Sequence, residues 1–102
     1  MPKAYWIARV DVTNPEGYQG YVTANAAAFS KYGARFLVRG GRMQAPEGTP
    51  RARNVVIEFR DYETALACYQ SAEYAAAKAK RIGHSEADLI IIEGYDGPQP
   101  GQ

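Results

Sequence analysis

The sequence is poor in the residues that build disulfides, metal centres and membrane helices. It contains one cysteine, Cys68, and one histidine, His84, in 102 residues. One cysteine cannot form an internal disulfide, and a lone thiol and a lone imidazole argue against a zinc or haem site. No apolar run approaches the roughly 18 residues of a membrane helix, and the first residues lack the apolar core of a signal peptide. These absences predict a cytoplasmic protein that binds no metal, no other cofactor and no membrane.

The sequence also has almost no excess of one sign of charge. The 12 basic and 11 acidic side chains leave a formal charge of +1, whereas nucleic-acid-binding domains usually have isoelectric points above ~9. Nucleic acid is therefore not the expected partner. The near neutrality hides a segregation, because arginines gather in one segment with a single acid, Glu47, and acids gather near the end of the chain. The arginines of that segment are Arg35, Arg39, Arg42, Arg51 and Arg53.

Large aliphatic side chains are scarce. Valine, isoleucine and leucine together supply 15 residues, against 17 alanines, so the eight tyrosines must supply part of the core. A chain of about 100 residues buries less than ~70% of its unfolded surface, which is marginal for a monomer. The composition predicts one compact domain over residues 1–96, followed by a flexible tail over residues 97–102 that is rich in glycine and proline.

Hydrophobic periodicity places strands and helices along the chain. Alternation of apolar side chains and one short apolar run predict strands over 4–12, 34–41, 53–60 and 89–93. Helical spacing predicts helices over 15–32, 62–70 and 72–82, preceded by the capping residues Asn14, Asp61 and Ser71. With the two short helices counted as one helical segment, the order is βαββαβ. This order predicts an α+β, ferredoxin-like fold with a four-stranded antiparallel sheet.

One face of the predicted sheet has no helix to cover it. Tyr5, Ile7, Leu37 and Val56 point to that face in the strand pattern, and a mixed apolar surface of this kind needs a partner. A second copy of the chain is the simplest partner, because a two-fold interface is self-complementary and enlarges a thin core. We therefore predict a homodimer.

Three short motifs resemble a known protein family. They are Tyr-Gly-Ala-Arg-Phe-Leu-Val-Arg-Gly-Gly at 32–41, Val-Val-Ile-Glu-Phe at 55–59 and Cys-Tyr-Gln-Ser-Ala-Glu-Tyr at 68–74. Over residues 3–95 the chain resembles the bacterial proteins of domain of unknown function 1330, in the dimeric α+β barrel superfamily. The resemblance implies a ferredoxin-like subunit whose sheet packs on a partner's sheet, and it implies no established reaction. Superfamily relatives include cofactor-free monooxygenases, isomerases, haem enzymes and regulatory domains, so the fold alone does not give the function.

Arg39 and Glu58 are the first candidate binding residues. Arg39 lies in a strand before two glycines, which allow a ligand or a backbone to come close, and its guanidinium suits a carboxylate. Glu58 could act as a base with its pKa raised by apolar neighbours. The alternative is an ion pair between the two, or between Glu58 and Arg35. The sequence leaves this open, because the long loop between the strands does not fix their register.

The break between the two short helices supplies the second candidate group. A helix N-terminus at Ser71 offers free amides to an anion, and the resemblance raises Tyr69, Ser71 and Tyr74 above other residues. The resemblance also suggests that Arg81, predicted in the last helical turn, points toward this anion, and Tyr21 of the first helix completes the set. The alternatives are a plain N-cap for Ser71 and core packing for the tyrosines.

These features favour a small cytoplasmic homodimer that binds a small organic anion through Arg39, with tyrosines around it. Catalytic residues are unknown, and the sequence does not decide whether the protein is an enzyme. One alternative is a cofactor-free isomerase or monooxygenase in which a tyrosine or Glu58 moves protons, which requires an apolar pocket with a perturbed acid. Another is a non-catalytic dimeric module in regulation or stress response, which predicts a barrel filled by side chains.

Overall fold

The computed structural model describes residues 2–101 and shows a four-stranded antiparallel sheet with three helices on one face. In chain order the elements are β1 (Ala4–Val12), α1 (Pro15–Lys31), β2 (Arg35–Arg39), β3 (Arg53–Phe59), α2 (Tyr62–Tyr69), α3 (Ala72–Ala79) and β4 (Ser85–Glu93). The strand order is β2-β3-β1-β4, and every neighbouring pair is antiparallel. This is the predicted ferredoxin-like α+β fold. The domain boundary at residue 96 and the flexible tail stay predictions, and Met1 and Gln102 lie outside the described residues.

Each helix begins after the capping side chain that the sequence predicts. Asn14, Asp61 and Ser71 each accept a hydrogen bond from the amide three residues further on, at 3.2, 2.8 and 3.1 Å. These bonds satisfy amide donors that the first turn of a helix leaves without partners. The break between α2 and α3 therefore lies where the Ser71 hydroxyl caps the second of the two.

Trp6 on β1 forms the centre of the core between the sheet and the helices. Its side chain is 1% exposed, and its Nε1–H donates to the Ala65 carbonyl at 3.0 Å. Four aromatic rings surround it, with centroid distances of 5.3 Å to Phe29, 5.3 Å to Phe59, 5.7 Å to Tyr69 and 4.9 Å to Tyr74. Aromatic side chains thus fill the part of the core that the scarce aliphatic residues are too few to fill.

The strand β4 begins at Ser85 rather than at Leu89, where the sequence predicts it. Its first half pairs with the end of β1, and Asp11 lies opposite Glu86 there. Because one face of the sheet is open to solvent, the outward positions of this half carry polar side chains and do not form an apolar run. Apolar content alone therefore predicts too short a strand.

The helix α3 ends at Ala79 rather than at Ile82. A turn follows it, and Gly83 in that turn has φ +84°, a left-handed conformation that glycine adopts without strain. Arg81 therefore lies in the turn after α3, whereas the sequence predicts it in the last turn of the helix.

A β-bulge in β2 changes the face on which Arg39 lies. Strict alternation predicts Arg39 on the face opposite to Phe36. In the structure Leu37 and Val38 together lie opposite a single residue of β3, which is the pattern of a bulge. The extra residue returns Arg39 to the helix-covered face, where its register partner is the buried Val55. The predicted hairpin of β2 and β3 is confirmed, but the predicted face of Arg39 is wrong.

The other face of the sheet, which we call the outer face, carries apolar side chains that lie open in the single chain. On β4, Ile90 is 54% exposed and Ile92 is 46% exposed, and in the register Tyr5 and Ile7 of β1 lie opposite these two residues. The molecule is a slab of 47 × 35 × 16 Å. Its two surfaces therefore differ, with helices on one and an apolar sheet face on the other.

Candidate functional site

A small cavity lies between the helix-covered face of the sheet and the helices α1 and α3. Its volume is about 40 Å³, and it is partly open to solvent. Most of its lining is apolar or aromatic and includes Trp6, Phe29, Phe36, Val55 and Leu89. An apolar cavity with a few convergent polar groups is the usual form of a small-molecule site.

Three arginines reach this cavity without a carboxylate beside them. Arg39, Arg53 and Arg81 belong to the lining, which contains no aspartate and no glutamate among the described residues. Within residues 2–101, none of the three takes part in an ion pair. By contrast, Arg51 lies 2.9 Å from each of two aspartates. The cavity therefore combines an apolar lining with positive charge that no described carboxylate neutralises.

Arg53 has a buried donor that finds no acceptor. Its Nε is buried and has no hydrogen-bond partner within the part of the chain that the structure describes. The rest of the guanidinium is in contact, since a Cβ on Gly40 would lie 3.0 Å from Nη1 and the Tyr18 hydroxyl interacts with it. An unpaired buried N–H destabilises a protein unless a ligand or water accepts it. Arg53 thus belongs to the cavity lining and carries a buried donor that has no acceptor among the described residues.

Arg39 and Arg81 lie over aromatic rings. The Cζ atom of Arg39 is 4.1 Å from the centroid of the Phe36 ring, and that of Arg81 is 5.5 Å from the centroid of the Tyr21 ring. Such contacts hold a flat guanidinium in place while its N–H edges stay able to donate to a carboxylate. Arg39 is exposed and Arg81 is half-buried, so the positive charge extends from solvent into the protein.

The hydroxyls of Tyr21 and Tyr74 are joined by a hydrogen bond of 2.8 Å. Burial raises the pKa of Tyr21, and the neighbouring Tyr74 hydroxyl raises it further. Burial also raises the pKa of Tyr18, an effect that the Arg53 guanidinium partly offsets. Tyr18 and Tyr21 therefore stay protonated at neutral pH, as hydrogen-bond donors and not as bases.

The structure brings four of the predicted site residues to the cavity: Tyr21, Arg39, Tyr74 and Arg81. Tyr69 lines a neighbouring groove between the helices and β4, and there Lys78 Nζ donates to its hydroxyl at 2.9 Å. The binding roles of these residues stay predictions.

Glu58 lies away from the cavity, on the outer face. Its register partner on β2 is Arg35, and its Oε1 lies 3.2 Å from Lys3 Nζ. Among the described residues no ion pair joins it to Arg39, because the bulge places the two side chains on opposite faces.

Ser71 also lies outside the lining of the cavity. Its hydroxyl donates to the Cys68 carbonyl at 2.7 Å and accepts from the Tyr74 amide at 3.1 Å. These two bonds use the donor and one acceptor site of the hydroxyl, and they are the contacts of an N-cap.

A family match spans most of the chain. The sequence model of DUF1330, described as a domain of unknown function, matches residues 3–95. The chain belongs to the DUF1330 family. The resemblance found in the three sequence motifs is thus confirmed, and the matched range contains every residue that lines the cavity.

Solved structures share the fold at low identity. A Rhodopseudomonas palustris protein of unknown function is 13% identical with a TM-score of 0.73, covering 94% of this chain and 85% of its own. SnoaB, a cofactor-independent oxygenase from Streptomyces nogalater, is 12% identical with a TM-score of 0.64, covering 98% and 99%. A dimeric protein of unknown function with a ferredoxin-like fold, from Bacteroides fragilis, is 14% identical with a TM-score of 0.62, covering 90% and 96%. No curated protein matches the chain.

Arg53 and Asn25 are cavity residues of this DUF1330 chain that sequence patterns did not single out as site residues. Arg53 stands two residues before Val55 on β3, so the period of the strand places it on the buried face. That placement is a sequence signal, although the other arginines of the segment mask it. Asn25, 6% exposed on α1, gives a weaker signal as a polar residue among alanines.

The lone cysteine and histidine of the DUF1330 chain lie outside the cavity lining. Burial raises the pKa of the Cys68 thiol to about 12, so it stays protonated. The His84 Nδ1 lies 3.2 Å from the Asn14 side-chain amide, in the turn before β4. Residues 2–101 contain no group of three or more His, Cys, Asp or Glu side chains placed to hold a metal ion. No described helix has the length and apolar character needed to cross a membrane.

Proposed function

We propose that this DUF1330 chain binds a small organic carboxylate in the cavity between the sheet and the helices. The observation that carries the proposal is the buried Nε–H of Arg53, which has no partner in the described chain. A buried donor without an acceptor lowers the stability of the protein by roughly 1–3 kcal/mol, and an anion that accepts a hydrogen bond from it removes this penalty. Guanidinium and carboxylate groups match in charge and in shape.

The volume of the cavity limits the size of the enclosed group. A space of about 40 Å³ takes about three water-sized groups, because one water needs ~10–15 Å³. A carboxylate has about that size. The ligand is therefore a short acid, or a longer one whose tail leaves through the open side of the cavity.

The groups at the cavity are better suited to binding a carboxylate than to abstracting a proton. A general base needs a pKa near the working pH, whereas the described lining holds no carboxylate or imidazole and burial raises the pKa of Tyr21. The likeness to the oxygenase SnoaB, at 12% identity, concerns the fold. The cofactor-free enzyme therefore has weaker support than the binding protein.

Trp6 provides a direct assay, because it is the single tryptophan and it lines the cavity. Sodium propanoate is expected to change its fluorescence saturably, while sodium chloride at the same ionic strength is not. Arg53→Gln should weaken propanoate binding about tenfold or more, as expected for a lost hydrogen bond to a charged group. Arg42→Gln, at an exposed arginine of the same hairpin, should leave the affinity unchanged. Equal affinities of the two variants, or no saturable response, would contradict the proposal.

We also propose that two chains pair through the outer face as a cytoplasmic homodimer. The Bacteroides fragilis neighbour is described as dimeric, and Ile90 and Ile92 form an exposed apolar surface of the kind that marks an interaction site. The cytoplasm is favoured because the single cysteine is a buried free thiol and forms no disulfide.

A further inference from the structure

Asn25 on α1 brings a side-chain amide to the cavity. The residue is 6% exposed and belongs to the cavity lining. Within residues 2–101, no hydrogen bond joins this amide to another group. In the same range, Arg53 Nε is the one fully enclosed side-chain polar atom without a partner, so the Asn25 amide atoms stay accessible from the cavity. A molecule in the cavity can therefore pair with them.

The Asn25 amide differs in kind from the other polar side chains of the lining. The three arginines there have N–H donors and no acceptor, whereas a carboxamide has an acceptor oxygen and two N–H donors. The tyrosine hydroxyls of the lining interact with one another or with a guanidinium. Among the described lining side chains, Asn25 alone has a carbonyl group. Its Oδ1 atom remains to accept a hydrogen bond from a ligand.

A carboxylate by itself does not satisfy Asn25. An ionised carboxylate only accepts hydrogen bonds, so it can pair with a guanidinium or with the Asn25 Nδ2–H groups but not with Oδ1. A hydroxyl group both donates and accepts, so it can pair with either end of the amide. The ligand that fits the lining therefore carries a donor in addition to its carboxylate.

The charge of the cavity decides which donor group is suitable. An ammonium group also donates, but it adds a positive charge to a lining that holds three arginines and, among its described residues, no carboxylate. A single ligand carboxylate balances only one of these arginines. Repulsion between like charges is stronger in a partly enclosed site than in water. The additional donor is therefore a neutral group.

We infer that the cavity prefers hydroxy carboxylates to unsubstituted and amino carboxylates, and that Asn25 determines this preference. The carboxylate pairs with Arg53 and the hydroxyl pairs with the Asn25 amide. The inference rests on the proposed function, because it specifies the acid that the same cavity binds. An acid without a donor leaves the Asn25 Oδ1 unpaired, which is how polar sites discriminate between similar ligands.

Five acids of three carbons form a matched set of probes with Trp6 fluorescence as the readout. Lactate and 3-hydroxypropanoate differ from propanoate by one hydroxyl, on carbon 2 or on carbon 3. At least one of the two should bind about fivefold more tightly than propanoate, as expected for one added hydrogen bond. The corresponding 2-aminopropanoate and 3-aminopropanoate carry an ammonium group at neutral pH. Each should bind about tenfold or more weakly than that hydroxy acid.

Asn25→Leu tests the assignment to Asn25, because leucine is similar in shape to asparagine and has no hydrogen-bonding group. The variant should bring the ratio of hydroxy acid to propanoate affinity to about one. The change should come from a loss of hydroxy acid affinity, with propanoate affinity unchanged. Gln19→Leu is the control, since it removes an exposed carboxamide of the same helix outside the cavity lining and should keep the wild-type ratio.

The outcomes separate the inference from the proposed function. If propanoate binds as tightly as both hydroxy acids, the preference is overturned and carboxylate binding stands. If the amino acids bind as tightly as the hydroxy acids, the selection of a neutral donor is overturned. A ratio that survives Asn25→Leu, or an equal loss of propanoate affinity in that variant, overturns the assignment to Asn25. If none of the five acids binds, carboxylate binding itself fails and the preference fails with it.

A measurement on the wild-type protein covers the case in which Asn25→Leu does not fold, as judged by circular dichroism. The NMR resonances of the Asn25 side-chain N–H groups should move to a plateau during a titration with the tighter hydroxy acid. They should move much less with propanoate, while those of Gln19 stay in place with both acids. Equal movement of the Asn25 resonances with the two acids contradicts a hydrogen bond between Asn25 and the hydroxyl.

Discussion

Arg51 and Arg53 stand two residues apart, yet their surroundings differ completely. Arg51 pairs with Asp11 and Asp88, whereas Arg53 belongs to the cavity lining and has a buried Nε without a partner in residues 2–101. A buried N–H without an acceptor lowers the stability of a fold. At the scale of single residues, this Nε–H is therefore a local loss of stability, which the proposed carboxylate binding would offset.

Arg53→Met is expected to raise the free energy of unfolding by about 1 kcal/mol, because an apolar side chain of similar length replaces a buried Nε–H that has no acceptor among the described residues. Arg51→Met is the matched control and should lower the free energy of unfolding, since two aspartates lose their cation. Urea denaturation followed by Trp6 fluorescence measures both changes. A clear loss of stability in Arg53→Met would show that the guanidinium supports the fold and is not kept for a ligand.

Cys68 is expected to resist alkylation in the folded protein. Burial raises the pKa of its thiol from 9.0 to about 12, so near neutral pH almost none of the nucleophilic thiolate is present. The unfolded chain ionises near the ordinary value. The stability that this group contributes is therefore complete below about pH 9 and is lost as the pH rises toward 12.

Iodoacetamide labelling at mildly alkaline pH measures the exposure of the Cys68 thiolate. Native protein should stay unlabelled over times in which protein in concentrated urea reacts fully. Rapid labelling of the native protein would mean that the thiol is accessible and ionised.

The type of a residue indicates which chemistry its side chain can perform, but not which partner the side chain contacts. Arg39 could be identified as an anion-binding candidate from its type and the glycines after it, and Tyr74 from its helix start. Arg53 has the same type as Arg51, and only the face that its strand buries separates the two. That the Ser71 hydroxyl donates to the Cys68 carbonyl could not be predicted, because this contact depends on the angle between α2 and α3.

At the scale of elements, β2 and the turn after it position two of the cavity arginines. The bulge at Leu37 and Val38 turns Arg39 to the helix side, and Gly40, with φ +67°, lets the Arg53 guanidinium approach. The strands and their pairing could be predicted, because alternation depends on neighbours in the chain. The bulge could not, since it appears only in the register against β3.

Gly40→Ala is expected to lower the free energy of unfolding by ~1–2 kcal/mol, because a left-handed conformation strains a residue with a Cβ. It should also weaken propanoate binding several-fold, since that Cβ would lie 3.0 Å from Arg53 Nη1. Gly41→Ala is the control, because nothing lies within 4 Å of its Cβ. Thermal denaturation and the Trp6 titration measure the two effects, and equal effects at both glycines would refute the role of Gly40.

At the scale of the whole molecule, the sheet separates two surfaces of different composition. One holds the helices and the cavity, and the other is the apolar outer face of a slab 16 Å thick. The fold could be predicted, because the order of the segments fits one known connectivity. The oligomeric state could not be derived from the fold, because it depends on whether a second copy covers the outer face.

Ile90→Glu is expected to convert a homodimer into a monomer, because it places a charge on the apolar outer face, at the edge strand β4. Light scattering should give about twice 11.2 kDa for the wild type and about 11.2 kDa for the variant. Ile82→Glu is the control, since Ile82 is 66% exposed in the turn after α3, away from the sheet. A wild-type mass of one chain at micromolar concentration would exclude the dimer.

The proposed carboxylate binding depends on the Nε–H of Arg53, and the NMR resonance of that group can be observed directly. Arg51 is the internal reference, because its Nε already donates to Asp88 at 2.9 Å. During a propanoate titration we expect the Arg53 Nε–H resonance to move downfield and to reach a plateau, while the Arg51 resonance stays in place. An Arg53 resonance that does not move, or that moves in parallel with that of Arg51 without a plateau, would contradict carboxylate binding at this cavity.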